Sequence, residues 1–186
     1  MRATLKISIQ WISQTPLWFR GAIVIGLALR LYFCLFTEGT YDVAIWRGHA
    51  ERIGELGLIG YYHETPLANH PPFISETASG MLIVSQRTGI PFRVLLRMPF
   101  VLIDAGTFIV LLLVLARQPR RLLLASAYWL HPLAVLFSSY HGNTDSSVAF
   151  FVLLAAWLLS RVAVRASAGR GPAIDPAGRR NRSGPE

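Results

Sequence analysis

LWFRGAIVIGLALRLYFCLF, residues Leu17–Phe36, is the stretch on which the reading of this chain turns. As an α-helix of about 1.5 Å rise per residue, such a run matches the ~30 Å hydrocarbon core of a bilayer. In lipid every backbone polar group must find its partner within the segment, so an apolar run of this length reads as a helix. Arg2, Lys6 and Arg20 give it a basic prelude, and no small-residue cleavage pattern precedes Glu38. It therefore reads as a retained anchor with a cytoplasmic N-terminus rather than a signal peptide.

Further apolar runs follow at residues 98–116, 122–139 and 147–164, and a weaker one at 73–85 is interrupted by Glu76, Thr77, Ser79 and Gly80. The chain has 186 residues, 53% of them hydrophobic, with mean hydropathy +0.43, which is too apolar for an ordinary soluble domain. The expected fold is an all-α, polytopic membrane helix bundle of four or five spans. Residues 1–16 form an N-terminal interfacial segment, 17–164 the membrane domain with an extracytoplasmic loop over 37–74, and 165–186 a disordered basic tail.

Two topologies compete. If all five segments cross, Arg117, Arg120, Arg121 and the Arg-rich tail fall outside, against the positive-inside tendency. If residues 73–85 only dip into the membrane, those cations fall inside and His141–Asp145 faces the same side as Asp42. The expected location is the plasma (inner) membrane.

Net charge is +8, and 17 of the 18 basic residues are Arg, yet the cations flank apolar runs as membrane topology places them. Nucleic acid is therefore not an expected partner. Cys34 is the only cysteine, which excludes an intrachain disulfide and a cysteine metal site. Six of the ten acids lie between Glu38 and Glu76, in and beside the first loop. There Val43, Trp46, Ala50, Ile53 and Gly57 recur at spacings of three and four, predicting a short amphipathic helix at the membrane surface. Gly60 and the 66–72 region, rich in Pro, end regular structure.

Candidate chemistry lies in these polar stretches, and each candidate has a plainer reading. Asp42 opens the amphipathic helix, where it serves as a general base or as an N-cap. His70, before Pro71 and Pro72, is either a contact for phosphate or a polar turn residue. In HGNTDS, residues 141–146, Gly142 reads as a helix C-cap and Thr144 or Asp145 as an N-cap. Those caps leave His141 and Asn143 available as donors to phosphate oxygens. A metal site from His141 and Asp145 lacks a third convincing ligand. Arg30, Arg97 and Asp104 lie at membrane depth, where an Asp–Arg pair that fixes helix packing is the preferred reading and a transport role the rival.

The constellation resembles the integral-membrane C-superfamily glycosyltransferases that use polyprenyl-phosphate sugars, the mannosyltransferases among them. The matching residues are Asp42 with Trp46, then Tyr61, Tyr62 and Asn69-His70-Pro71-Pro72. Arg97 with Asp104 follows, and Leu130-His131-Pro132 leads to His141-Gly142-Asn143-Thr144-Asp145. The resemblance implies Asp42 as the base that deprotonates an acceptor hydroxyl for inverting attack on the anomeric carbon. It implies a polyprenyl phosphate as leaving group, with His70, Arg97, His141, Asn143 and Asp145 as substrate-binding candidates. No cofactor is expected beyond that lipid donor; the acceptor is a glycan, lipid or protein. Members usually carry eight or more spans, so the resemblance covers their N-terminal part, and the expected alternatives are a truncated or frame-interrupted product, a split subunit completed by a C-terminal partner chain, or a short non-catalytic relative. A non-catalytic membrane scaffold, whose polar loops only cap helices, is the alternative.

Overall fold

A computed structural model describes residues 15–66, 68, 70–142 and 144–169, with side chains as far as residue 163. The described residues fold into helices and connecting turns, without a strand. Helix α1 is Leu17–Phe36, α2 Tyr41–Glu64, α3 Pro72–Thr88 and α4 Phe92–Val114. Helix α5 is Arg121–Trp129, α6 Pro132–Val135, continued by a π-helical turn over Leu136–His141, and α7 is Asp145–Gly169. The last helix thus runs into the segment read as tail; residues 1–14 and 170–186 lie outside the described residues.

Three helices are long and apolar enough to cross a membrane: Leu17–Phe36, Phe92–Val114 and Asp145–Ala163. A fourth candidate is the pair Arg121–Trp129 and Pro132–His141, bent by 51°. The sequence reads residues 122–139 as one span, and the bend within it has a local cause. Pro132 has no N–H to donate and disfavours helical backbone at the residue before it. His131 accordingly adopts φ −63 and ψ 125, and its ring accepts the Leu133 N–H as a cap. The weak segment at 73–85 becomes α3, whose buried face of Ser75, Ala78, Ser79 and Leu82 is built mostly of small residues.

Two apolar clusters organise the bundle. Phe19, Phe108, Ala125 and Trp129 join α1, α4 and α5. The buried residues of α1, Phe19, Ala22, Gly26, Arg30 and Cys34, form one stripe at helical spacing. Gly26 lets the Trp129 indole lie against the helix, since a Cβ there would come within 2.2 Å of the indole nitrogen. The second cluster, Val43, Trp46, Ala50, Ala78, Leu82, Phe92 and Leu96, joins α2 and α3 to the start of α4. The stripe Val43, Trp46, Ala50 and Ile53 is buried, while Gly57, with φ 70 and ψ 165, interrupts the helix rather than extending the stripe. Helix α7 lies along α4 with the Phe150 ring over Gly106, but no residue of its span is buried.

Candidate functional site

Helix α1 ends at Thr37, and Gly39, at φ 85, turns the chain so that Thr40 precedes α2 and Asp42 stands in its first turn. A carboxylate is favoured there, because the first N–H groups of a helix are unpaired and its N-terminus carries partial positive charge. Thr40 stands at the cap position of α2 without a side-chain cap hydrogen bond, and Asp42 follows in the first turn. Both reach to His141, at the end of the π-helical turn about a hundred residues later in the chain. His141 Nε2 lies 2.9 Å from Asp42 Oδ2. The other ring nitrogen, Nδ1, lies 2.9 Å from the Thr40 hydroxyl.

Asp42 and His141 line a cavity of about 240 Å³ with Ile45, Trp46, His70, Gly142 and Thr144. Three expected site residues, Asp42, His70 and His141, are therefore gathered in one place. Gly142 closes the π-helical turn with φ 70 and ψ 43, its N–H donating to the Phe137 carbonyl at 3.1 Å. A helix in this wider form holds an extra residue per turn and often marks a functional position. Here the turn ends on the residue that meets Asp42.

Arg97 is engaged at a helix end. It is fully buried, and its guanidinium caps the C-terminus of α1, donating to the carbonyls of Phe33 at 3.1 Å, Cys34 at 2.9 Å and Thr37 at 2.6 Å. Further donations go to the Thr37 hydroxyl, the Arg93 carbonyl and, at 3.5 Å, the Tyr140 carbonyl. It thus supplies donors to carbonyls at a helix end, where the intrahelical partners run out; the Phe33 carbonyl also accepts from the Thr37 hydroxyl. The side chain also sets the spacing of the site. A Cβ on Gly39 would come within 3.0 Å of Arg97 Nη1 and within 2.8 Å of the Tyr140 carbonyl. A Cβ on Gly142 would come within 2.8 Å of Arg97 Cγ. The two glycines flanking the Asp42–His141 contact thus pack directly on this arginine.

Behind Asp42 lies an aromatic layer. The His70 ring sits 4.6 Å from Trp46, centroid to centroid, and 6.4 Å from His49. His49 Nδ1 lies 2.7 Å from the Tyr61 hydroxyl, and the Tyr62 hydroxyl donates to the His70 carbonyl at 2.6 Å. Burial, and then the nearby His70, hold the His49 imidazole below its usual value. Burial, followed by Tyr62, pushes the Tyr61 phenol up. Sequence reading passed over Thr40 and His49, and named Tyr61 only as part of the resemblance. Their partners lie at helical positions without local signature, or about a hundred residues away.

Asp104 belongs to a separate cluster. Its Oδ2 meets Arg30 Nε at 2.6 Å and accepts from the Ser138 hydroxyl at 3.1 Å; Oδ1 accepts from Tyr128. Arg30 also donates to the carbonyls of Gly26 and Trp129 and lies 3.7 Å from the Trp129 ring centroid. The partner of Asp104 is thus Arg30 of α1, not Arg97 on its own helix. Asp145 is not gathered with Asp42: it lines a second cavity of about 470 Å³ with Asp104, Tyr128, His131, Phe137 and Ser146. Asn143 lies outside the described residues. Among the described residues, no group of three His, Cys, Asp or Glu side chains is placed to hold a metal ion.

No protein-family model matches this chain, and neither do any curated proteins or solved structures.

Proposed function

We propose that this protein is a membrane glycosyltransferase of the C-superfamily type, or its N-terminal module, moving a sugar from a polyprenyl phosphate to an extracytoplasmic hydroxyl with inversion. The observation that carries the reading is the half-exposed Asp42 carboxylate at a cavity mouth just beyond the end of a span-length helix, anchored by His141 at 2.9 Å. Asp42 takes the proton of the acceptor hydroxyl as its oxygen attacks the anomeric carbon. His70, at the same cavity, is the residue left to face the departing phosphate, since Arg97 is enclosed. The cavity is smaller than the roughly 300–1,000 Å³ of typical small-molecule sites, so it suits the reacting end of an acceptor rather than a whole lipid.

The same contact bears on topology. Four crossings, by α1, α4, the bent α5–α6 pair and α7, leave Asp42 and His141 on one side of the membrane. A fifth crossing by α3 would put them on opposite sides. With four crossings Arg117, Arg120 and Arg121 fall on the cytoplasmic side, as the distribution of basic residues favours. In this arrangement α2 is the extracytoplasmic amphipathic helix and the membrane is the plasma membrane.

The test is transfer of labelled sugar from polyprenyl phosphate in proteoliposomes of the full chain, alone and with any co-purifying partner. Transfer that vanishes in Asp42→Asn while the protein stays folded supports the reading; transfer that survives the substitution removes Asp42 as base. Absence of product from the wild type in every preparation favours the scaffold reading, in which these polar groups only hold helix ends.

A further inference from the structure

The Thr40–His141–Asp42 arrangement has two chemical directions. Run one way, Asp42 orients His141 and His141 activates the Thr40 hydroxyl as a nucleophile, the logic of a hydrolase triad. Run the other way, Thr40 orients His141 and His141 orients Asp42. The cavity chooses between them. Asp42 and His141 line it, while Thr40 does not, and the Asp42 side chain is 44% exposed where a triad carboxylate is enclosed. The reacting end is the carboxylate.

Donor and acceptor roles then follow around the ring. A carboxylate accepts and does not donate, so the ring nitrogen facing it, Nε2, carries the hydrogen. In a neutral imidazole the other nitrogen must accept, so the Thr40 hydroxyl donates to Nδ1. Asp42 Oδ2 lies 2.9 Å from Nε2, within reach of the ring N–H.

We infer that Thr40 and His141 are positioning residues that hold Asp42 through a one-directional chain, Thr40 O–H to His141 Nδ1 and His141 Nε2–H to Asp42 Oδ2, so that Oδ1 is the oxygen that takes the substrate proton. The last step rests on the transferase reading; the chain itself does not. In that step the acceptor O–H bond breaks and its proton goes to Oδ1. The oxygen's electron pair forms the bond to the anomeric carbon, and the bond from that carbon to the phosphate oxygen breaks with its pair on the leaving polyprenyl phosphate. His141 keeps its proton throughout. Its role is to stop the carboxylate from rotating and to leave one oxygen with a defined direction.

Nitrogen-15 NMR of the histidine-labelled full chain in nanodiscs at neutral pH, with His141→Gln to assign the signal, reads the chain directly. The expected spectrum is that of the Nε2–H tautomer, with the Nδ1 signal moving in Thr40→Val and unmoved in Thr40→Ser. The Nδ1–H tautomer, or a ring carrying both hydrogens, overturns the inference. Where transfer is measurable, Thr40→Val and His141→Leu lower kcat about 10- to 100-fold with KM unchanged. Thr40→Ser and His141→Gln, which keep a donor in each place, recover part of it; equal loss in all four overturns the positioning role. Covalent labelling of Thr40 by a fluorophosphonate probe also overturns it, in favour of the nucleophile direction. The expected tautomer without any sugar transfer leaves the chain standing and removes the transferase reading instead.

Discussion

Two aspartates, each met by a basic side chain from a distant part of the sequence, sit in contrasting settings. The Asp104 and Arg30 side chains are 2% and 0% exposed, and both carboxylate oxygens are engaged by Arg30, Tyr128 and Ser138. The Asp42 side chain is 44% exposed and meets His141 through one oxygen. An ion pair taken fully out of water is held by its own desolvation, because separating it leaves a charge with nothing to replace water. A half-exposed carboxylate at a cavity keeps contact with solvent. Enclosure marks the first pair as a clamp between α1, α4 and the bent pair, and openness is what the proposed chemistry requires of the second.

The largest effect expected from breaking this contrast is on the enclosed side. Asp104→Asn leaves Arg30 buried without its counter-charge and should cost about 3–5 kcal/mol, seen as loss of the monodisperse protein in detergent on mild heating. Replacing both partners by apolar residues, Arg30→Met with Asp104→Leu, should recover most of that loss; failure to recover would show that the pair does more than clamp.

On the open side the order of effects reverses. Asp42→Asn should change unfolding by no more than about 0.5 kcal/mol, as for a surface position, while lowering transfer by about 10²–10⁴-fold. A large loss of stability with this substitution would make Asp42 a second clamp. Gly142→Ala probes the boundary between the two. It should cost about 1–2 kcal/mol for left-handed backbone alone, and more through its contact with Arg97, displacing His141 and lowering transfer with it. Thermal melting and transfer measured on one preparation check both halves.

A smaller effect is expected in the aromatic layer behind the site. The imidazole of His49 is harder to protonate in the folded protein than in the unfolded chain, which binds the proton first as pH falls. Stability from this group is therefore complete above its ordinary value of 6.5 and declines as pH drops below it. His49→Phe should flatten that decline in melting curves taken across the acid range. Smallest of all is Arg47→Ala, which removes an exposed pair with Glu51 at 2.9 Å and should shift stability by less than about 1 kcal/mol.

How much of this was legible in the sequence depends on the range of the signal. The apolar runs mark α1, α4 and α7, because covering a backbone in lipid demands a length and composition that any window reveals. The stripe Val43, Trp46, Ala50 and Ile53 marks the buried face of α2, and Gly142 marks a helix end. The bend at His131 was written in Pro132, yet apolar residues on both sides concealed it. Arg97 is the instructive case. An arginine beside a polar loop looks like a phosphate contact, but the carbonyls at the end of α1 compete for its donors and hold them.

Sequence alone determined that the chain is helical, that at least three of its helices are built for an apolar solvent, and that its acids cluster in the first loop. Composition and period suffice for that, since they act through solvent and neighbours a few residues away. Only the tertiary structure decided which charges pair. It joined Arg30 to Asp104 across 74 residues and Asp42 to His141 across 99, and it set Asp145 at the cavity of Asp104 rather than that of Asp42. Such pairings depend on where helices cross and which faces they turn to one another. Small residues such as Gly26, Gly39 and Gly142 set those approaches through the atoms they lack, and a sequence read alone does not show which neighbour fills the space.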